Sequence, residues 1–119
     1  MFIDVDRLKQ INDRYGHMIG SRALCRVADV LRLSARAIDI PARYGGDEFA
    51  LVLPDAAEAD AWHAGRRIAE RLAADIEIPK VHVSLGVSVH PRDGATPEAL
   101  LGAADHRLYQ ERTQADTPR

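Results

Sequence analysis

The sequence predicts an α+β sandwich (α/β in the broad sense) of the ferredoxin-like or polymerase-palm kind, with helices packed on a central antiparallel or mixed sheet. Three observations predict it. Strand-like and helical periodicities alternate in the order β-α-β-β-α-β-α. The two middle strands are separated by a tight Gly-Gly turn. The chain has 119 residues, 46% hydrophobic and 29% charged, which suffices for one domain around one core.

The first strand is Phe2 to Val5, a short apolar run that ends in two acids, Asp4 and Asp6. Their i, i+2 spacing puts both on one side of an extended chain. Residues 7–15 read as a polar turn or short helix, punctuated by Gly16 and Gly20. Leu24, Val27, Val30, Leu31 and Ser34 then follow helical spacing to about residue 37. Residues 42–44 and 49–53 are strands around Gly45-Gly46-Asp47-Glu48, where glycine permits the positive φ of a hairpin turn. Ala57, Ala61, Ala64, Ile68 and Leu72 mark a second amphipathic helix over 56–74, and residues 81–89 form a late strand. Thr96-Pro97-Glu98 supplies an N-cap with proline in the first helical position and opens a last helix through Leu100, Ala104 and Leu108.

Composition excludes several classes. A formal net charge of −2 argues against DNA or RNA as partner, because polyanions are held by many Lys and Arg acting together. The single Cys25 rules out a disulfide framework. Flanked by Leu24 and Val27, it reads as a buried thiol in a reducing compartment. No apolar run approaches the roughly 20 residues of a spanning helix, and the start lacks the regions of a signal peptide. The expectation is a cytoplasmic domain without membrane contact of its own, which can still belong to a larger sensor protein.

The acids carry the chemistry. Hard divalent cations take oxygen ligands and bridge phosphate oxygens in phosphoryl transfer. Asp4 at a strand end and Asp47-Glu48 on a hairpin can supply such ligands together only if the first strand lies beside that hairpin. Taken alone, the hairpin acids could equally be an ordinary polar turn.

The stretch Arg43-Tyr44-Gly45-Gly46-Asp47-Glu48-Phe49 reproduces the signature of the GGDEF family, and Phe2-Ile3-Asp4-Val5-Asp6 with Lys9, Asn12-Asp13 and Tyr15-Gly16-His17 resembles its first-strand motif. The likeness continues through Leu53-Pro54, Val83-Ser84-Leu85-Gly86-Val87 and Ala104-Asp105-His106-Arg107-Leu108-Tyr109, and so covers nearly the whole chain. It implies a palm-type nucleotidyl cyclase fold over residues 1–112, with 113–119 as a polar tail. The family's opening helix and closing strand have no counterpart here, which implies a domain trimmed at both ends. The implied activity is that of a diguanylate cyclase. Two domains in a homodimer each present a purine nucleoside triphosphate, and each 3′-hydroxyl attacks the other's α-phosphate with loss of pyrophosphate.

The resemblance also implies roles. Asp4 and Asp47 resemble the side-chain ligands of Mg²⁺ or Mn²⁺, with Val5 lending a backbone carbonyl. Glu48 is a further ligand or the group that helps deprotonate the ribose 3′-hydroxyl. Gly45 and Gly46 keep side chains away from the nucleotide. Lys9 resembles a phosphate-contacting lysine, although a solvated side chain explains it as well. Arg112 matches the first of two basic positions for the terminal phosphates, and Asp116 reverses the charge at the second.

Asn12 resembles the residue that meets the purine, and its partner position, usually Asp, is Ser21. A carboxylate only accepts and so matches guanine's N1–H and N2–H₂, whereas a hydroxyl both donates and accepts. Ser21 in Gly20-Ser21-Arg22-Ala23-Leu24-Cys25-Arg26 resembles the hybrid promiscuous branch of the family, which implies ATP use beside GTP and cyclic GMP-AMP beside cyclic di-GMP. The plainer reading is an N-cap for the first long helix. Arg36-Ala37-Ile38-Asp39 with Arg67 resembles the family's inhibitory site for the cyclic dinucleotide product; an exposed i, i+3 ion pair explains Arg36 and Asp39 without a function. Two other readings are a catalytically weak receptor that binds cyclic dinucleotide at Arg36, Asp39 and Arg67, and an adenylyl or guanylyl cyclase or another palm-type protein, a group that shares the fold logic but not the Arg43 to Phe49 signature.

Overall fold

The computed structural model describes the backbone of residues 1–116 and the side chains of residues 1–112. Eight elements follow one another: β1 (Phe2–Val5), α1 (Leu8–Tyr15), α2 (His17–Ser34), β2 (Ile40–Arg43), β3 (Glu48–Val52), α3 (Glu58–Ala74), β4 (Val83–Gly86) and α4 (Pro97–Asp116). The strands form one sheet in the order β2-β3-β1-β4, and every neighbouring pair is antiparallel. β1 therefore lies between β3 and β4, beside the hairpin, which is the condition for Asp4 and the hairpin acids to act together.

The pleat divides the side chains between two layers. Ile3 and Val5 of β1, Phe49 and Leu51 of β3 and Leu85 of β4 point to one face. There they join Ala23, Val27 and Leu31 of α2 and Ile68 and Leu72 of α3 in the main core. Phe2 points the other way and packs with Ala104 and Leu108 of α4. A Cβ on Gly86 would stand 1.9 Å from the Ala104 carbonyl oxygen, so only glycine lets α4 lie this close to β4. Thr96 caps α4 as its sequence predicts, its Oγ1 accepting from the Ala99 N–H at 3.1 Å, and Pro97 is the first helical residue.

Four expectations need correction. The first long helix begins at His17 and ends at Ser34, so Ser21 lies one turn inside it. Gly16 occupies the N-cap, with no side-chain cap bond, which removes the capping reading of Ser21. Cys25 is exposed, because the buried stripe of α2 runs through Gly20, Ala23, Val27, Leu31 and Ser34 and leaves residue 25 outside it. The hairpin turn is not made by positive φ at Gly45 or Gly46, since Gly16 alone among the described glycines has one. Finally, Asp39 is buried while Arg36 is exposed, so the pair is not a surface ion pair.

Candidate active site at the end of β1 and the β2–β3 hairpin

The sheet register brings the acids together. Asp4 of β1 stands opposite Glu48 of β3, and the Val5 N–H donates to the Asp47 carbonyl oxygen at 2.9 Å. Both hairpin acids are half-buried. Arg43 holds the turn by donating to the carbonyls of Gly45 at 3.1 Å and Gly46 at 2.9 Å. Gly45 matters for room: a Cβ there would lie 2.4 Å from the Glu48 Oε1.

Asp4 is the most constrained of the acids. Its side chain is 14% exposed. Burial pushes its carboxyl up to about 6; Arg112 pulls the other way, and the charges of Asp47 and Glu48 add to the rise. Its Oδ2 accepts from Arg112 Nη1 at 2.7 Å, while Oδ1 is buried with no hydrogen-bond partner among the described residues. Asp6 lies on the same side, as its i, i+2 spacing predicts. Its Oδ1 accepts from Arg112 Nε at 3.2 Å, Arg112 Nη2 at 3.0 Å and Ser84 Oγ at 2.7 Å. The pairing of Asp4 with Asp6 is visible in the sequence, but the part of Ser84 is not; its only signal is a polar residue at an alternating position of an apolar strand.

Among the described residues, no group of three or more His, Cys, Asp or Glu is arranged to hold a metal ion. The donor set nonetheless fits a hard divalent cation. An orphaned carboxylate oxygen of Asp4 beside Asp47 and Glu48 offers oxygen ligands only, and Mg²⁺ is commonly held by one or two carboxylates with substrate phosphates completing its shell.

The base-recognition candidates lie on the two helices that follow β1. Asn12 of α1 is half-buried. Its Oδ1 occupies the space where a Cβ on Gly20 would come, 1.7 Å away, so Gly20 lets α2 seat Asn12 next to the turn that carries Ser21. Ser21 is exposed and lines a cavity of about 320 Å³ with Leu24, Cys25, Arg43 and Phe49; Asn12 does not line it. Lys9 is exposed on α1.

Arg36, Asp39 and Arg67 gather at the other end of β2 from the hairpin. The Asp39 side chain is 1% exposed and accepts from the Arg36 backbone N–H at 2.7 Å and from its Nη2 at 2.8 Å. The carboxyl therefore lies below its ordinary range, chiefly through these bonds. Arg36 also donates to the Pro54 carbonyl at 2.8 Å. Arg67 reaches the Ser34 carbonyl at 3.4 Å and adds to the field on Asp39. Asp39 is buried because it closes the α2–β2 connection by bonding backbone as well as side chain. Asp116 lies outside the residues whose side chains are described.

Sequence and structure comparisons agree on one family. The family model described as "Diguanylate cyclase, GGDEF domain" matches residues 1–117. The response regulator PleD of Caulobacter vibrioides is 44% identical over 121 residues, covering 92% of this chain and 26% of that protein. The diguanylate cyclase TpbB of Pseudomonas aeruginosa is 39% identical over 125 residues, covering 97% of this chain and 28% of that one. The solved GGDEF domain of TpbB superposes with a TM-score of 0.88 at 39% identity, covering 95% of this chain and 74% of that one. The chain thus spans about a quarter of the length of these curated relatives. With the acids of β1 and the hairpin in register and the match running through nearly every element, the chain belongs to the GGDEF-domain family of diguanylate cyclases.

Proposed function

We propose that this domain condenses two purine nucleoside triphosphates into a cyclic dinucleotide, two GTP giving cyclic di-GMP, with Ser21 admitting ATP and hence cyclic GMP-AMP. The observation that carries the reading is Asp4 facing Glu48 across β1 and β3, with one buried Asp4 oxygen unpartnered. Such an arrangement costs stability and is retained where chemistry needs it.

Asp4 and Asp47, with the Val5 carbonyl, would hold Mg²⁺ or Mn²⁺, which when bound supplies charge neutralisation at the phosphate oxygens. Glu48 is placed to help take the proton of the attacking 3′-hydroxyl, or to complete the ligand set. The oxygen of one nucleotide's 3′-hydroxyl forms a bond to the α-phosphorus of the other, the bond to the bridging oxygen breaks, and pyrophosphate leaves. Each domain presents one nucleotide, so two copies complete the reaction. Asn12 and Ser21 read the base edge, Lys9 and Arg112 supply positive charge to the phosphates, and Gly45 and Gly46 leave the hairpin backbone open to the nucleotide.

Arg36, Asp39 and Arg67 form the proposed product site, in which the exposed guanidinium of Arg36 offers its two-point fork to phosphate or guanine acceptors. A second reading, a receptor with little catalysis, is favoured by Arg112, which is engaged with Asp4 and Asp6. Incubating the intact protein with GTP, ATP or both in the presence of Mg²⁺, followed by mass analysis, separates the two. The catalytic reading requires cyclic dinucleotide from the wild type and its loss in Asp47→Ala, and fails if neither product forms or the variant is unimpaired.

A further inference from the structure

We propose that Arg112 is a resident counter-cation of the Asp4 and Asp6 carboxylates, and that a divalent metal ion must displace its guanidinium to engage Asp4. The inference rests on the proposed function for the identity of the metal-holding acids, and adds an internal competitor for them.

The geometry is specific. Arg112 spreads its fork over two carboxylates: Nη1 donates to Asp4 Oδ2 at 2.7 Å, while Nε and Nη2 donate to Asp6 Oδ1 at 3.2 and 3.0 Å. Ser84 Oγ donates to the same Asp6 oxygen at 2.7 Å, which fixes Asp6 as the anchor that aims the guanidinium at Asp4. Asp6 and Ser84 are thus positioning residues for this contact.

Two acids on one side of a strand, with Asp47 and Glu48 beside them, repel one another unless a cation stands between them. Arg112 supplies that cation from α4, while leaving Asp4 Oδ1 without a partner. With Nη1 on Asp4 Oδ2 and Nε and Nη2 on Asp6 Oδ1, no guanidinium N–H reaches that oxygen. A metal ion approaching Asp4 therefore meets one free oxygen and, at hydrogen-bond distance from the other, a positive charge. Both cations cannot keep the same carboxylate at short range without strong repulsion. Loading the metal releases Arg112, and Arg112 in place weakens the metal; the coupling is reciprocal. Because Arg112 belongs to α4, whose Ala104 and Leu108 pack on Phe2 of β1, occupancy of the acids is felt by the last turns of that helix.

Mn²⁺ alone, titrated into the intact protein without nucleotide and followed by the paramagnetic resonance signal of the free ion, tests the competition. Arg112→Gln, which keeps hydrogen-bonding capacity but removes the charge, is expected to bind Mn²⁺ about tenfold or more tightly than the wild type. Arg112→Lys, which keeps charge without the fork, is expected to fall between them and carries the test if Arg112→Gln does not fold. Equal affinities in all three proteins, or weaker binding in Arg112→Gln, would overturn the inference. Asp4→Asn, expected to lose the site, separates this from the functional reading: if it binds Mn²⁺ like the wild type, or if no protein binds it, the assignment of Asp4 as a metal ligand falls as well.

Discussion

Asp4 and Glu48 occupy directly opposed positions on neighbouring antiparallel strands, an acid facing an acid. Like charges so placed destabilise a sheet by about 0.2–1 kcal/mol, a cost that the proposed catalytic role of the pair would account for. Glu48→Gln removes the repulsion at nearly constant shape. Its melting temperature in metal-free buffer is expected to rise slightly, while cyclic dinucleotide formation falls by about a hundredfold or more, the scale of a lost proton-transfer or ligand group. A variant that is both less stable and fully active would contradict the assignment.

Asp4 also sets a pH dependence whose sign is unusual for a carboxylate. Its pKa rises from 3.8 to about 6 on folding, through burial first and through the neighbouring acids next. The native state therefore binds the proton more tightly than the unfolded one. The resulting stabilisation is fully present below pH 3.8 and is lost as pH rises through about 6. Asp39, and Asp93, which precedes α4 and accepts from Arg107 and Arg92, are shifted the opposite way and favour folding at higher pH, so the Asp4 contribution must be isolated by difference. Urea unfolding of wild type and Asp4→Asn between pH 4 and pH 7 is expected to show the wild type losing ground to the variant as pH rises. Parallel curves would show that the Asp4 carboxyl does not titrate there.

At the other end of β2, Asp39 and Arg36 differ in burial, which lets stability be told apart from the proposed binding of product. The buried Asp39 carboxylate holds the Arg36 backbone N–H as well as its side chain, whereas Arg36 keeps 43% of its side chain exposed. Asp39→Ala is expected to cost about 1–3 kcal/mol, the range for breaking a buried, hydrogen-bonded group, and to lose cyclic dinucleotide binding with it. Arg36→Ala is expected to lose binding with a smaller stability change. Calorimetric titration with cyclic di-GMP beside thermal unfolding of both variants distinguishes the two effects; undiminished affinity in Arg36→Ala would leave only the loop closure.

The acid end of the sheet was legible because it is written in local signals: a strand ending in Asp4 and Asp6, a Gly-Gly hairpin carrying two acids, and a Thr96-Pro97 helix start. The core face was legible from the 3.6-residue period of Val27 and Leu31 and of Ile68 and Leu72. What escaped depends on partners distant in the chain. Arg112 reaches Asp4 across 108 positions, and no local pattern announces that a helical arginine will meet two strand acids. Cys25 is exposed because the buried stripe of α2 runs through Ala23, Val27 and Leu31, and at about 100° per residue position 25 lies nearly opposite Ala23 and Val27; the apolar neighbours Leu24 and Val27 do not show on which side of that stripe it falls. Asp39 sank below the surface because its carboxylate closes a loop through backbone, a use that an R-x-x-D spacing does not reveal.

Ser21 lies one turn inside α2, exposed, on the cavity it shares with Leu24, Cys25 and Phe49, and one residue beyond the glycine that seats Asn12. Its hydroxyl caps no helix; in the proposed function it meets the nucleotide base, and a hydroxyl tolerates either purine edge because it both donates and accepts. Ser21→Asp would present two acceptors to guanine's two donors and a negative charge to adenine's unprotonated N1. A mismatch of that sort costs about 1–3 kcal/mol, and about 1.4 kcal/mol is a factor of ten. With GTP and ATP supplied together, AMP-containing product is expected to fall about tenfold or more relative to cyclic di-GMP in Ser21→Asp, with the fold unchanged because the position is exposed. Mass analysis of the product mixture checks the ratio, and the assignment of Ser21 to base selection fails if the wild type never incorporates ATP or if the substitution leaves the ratio where it was.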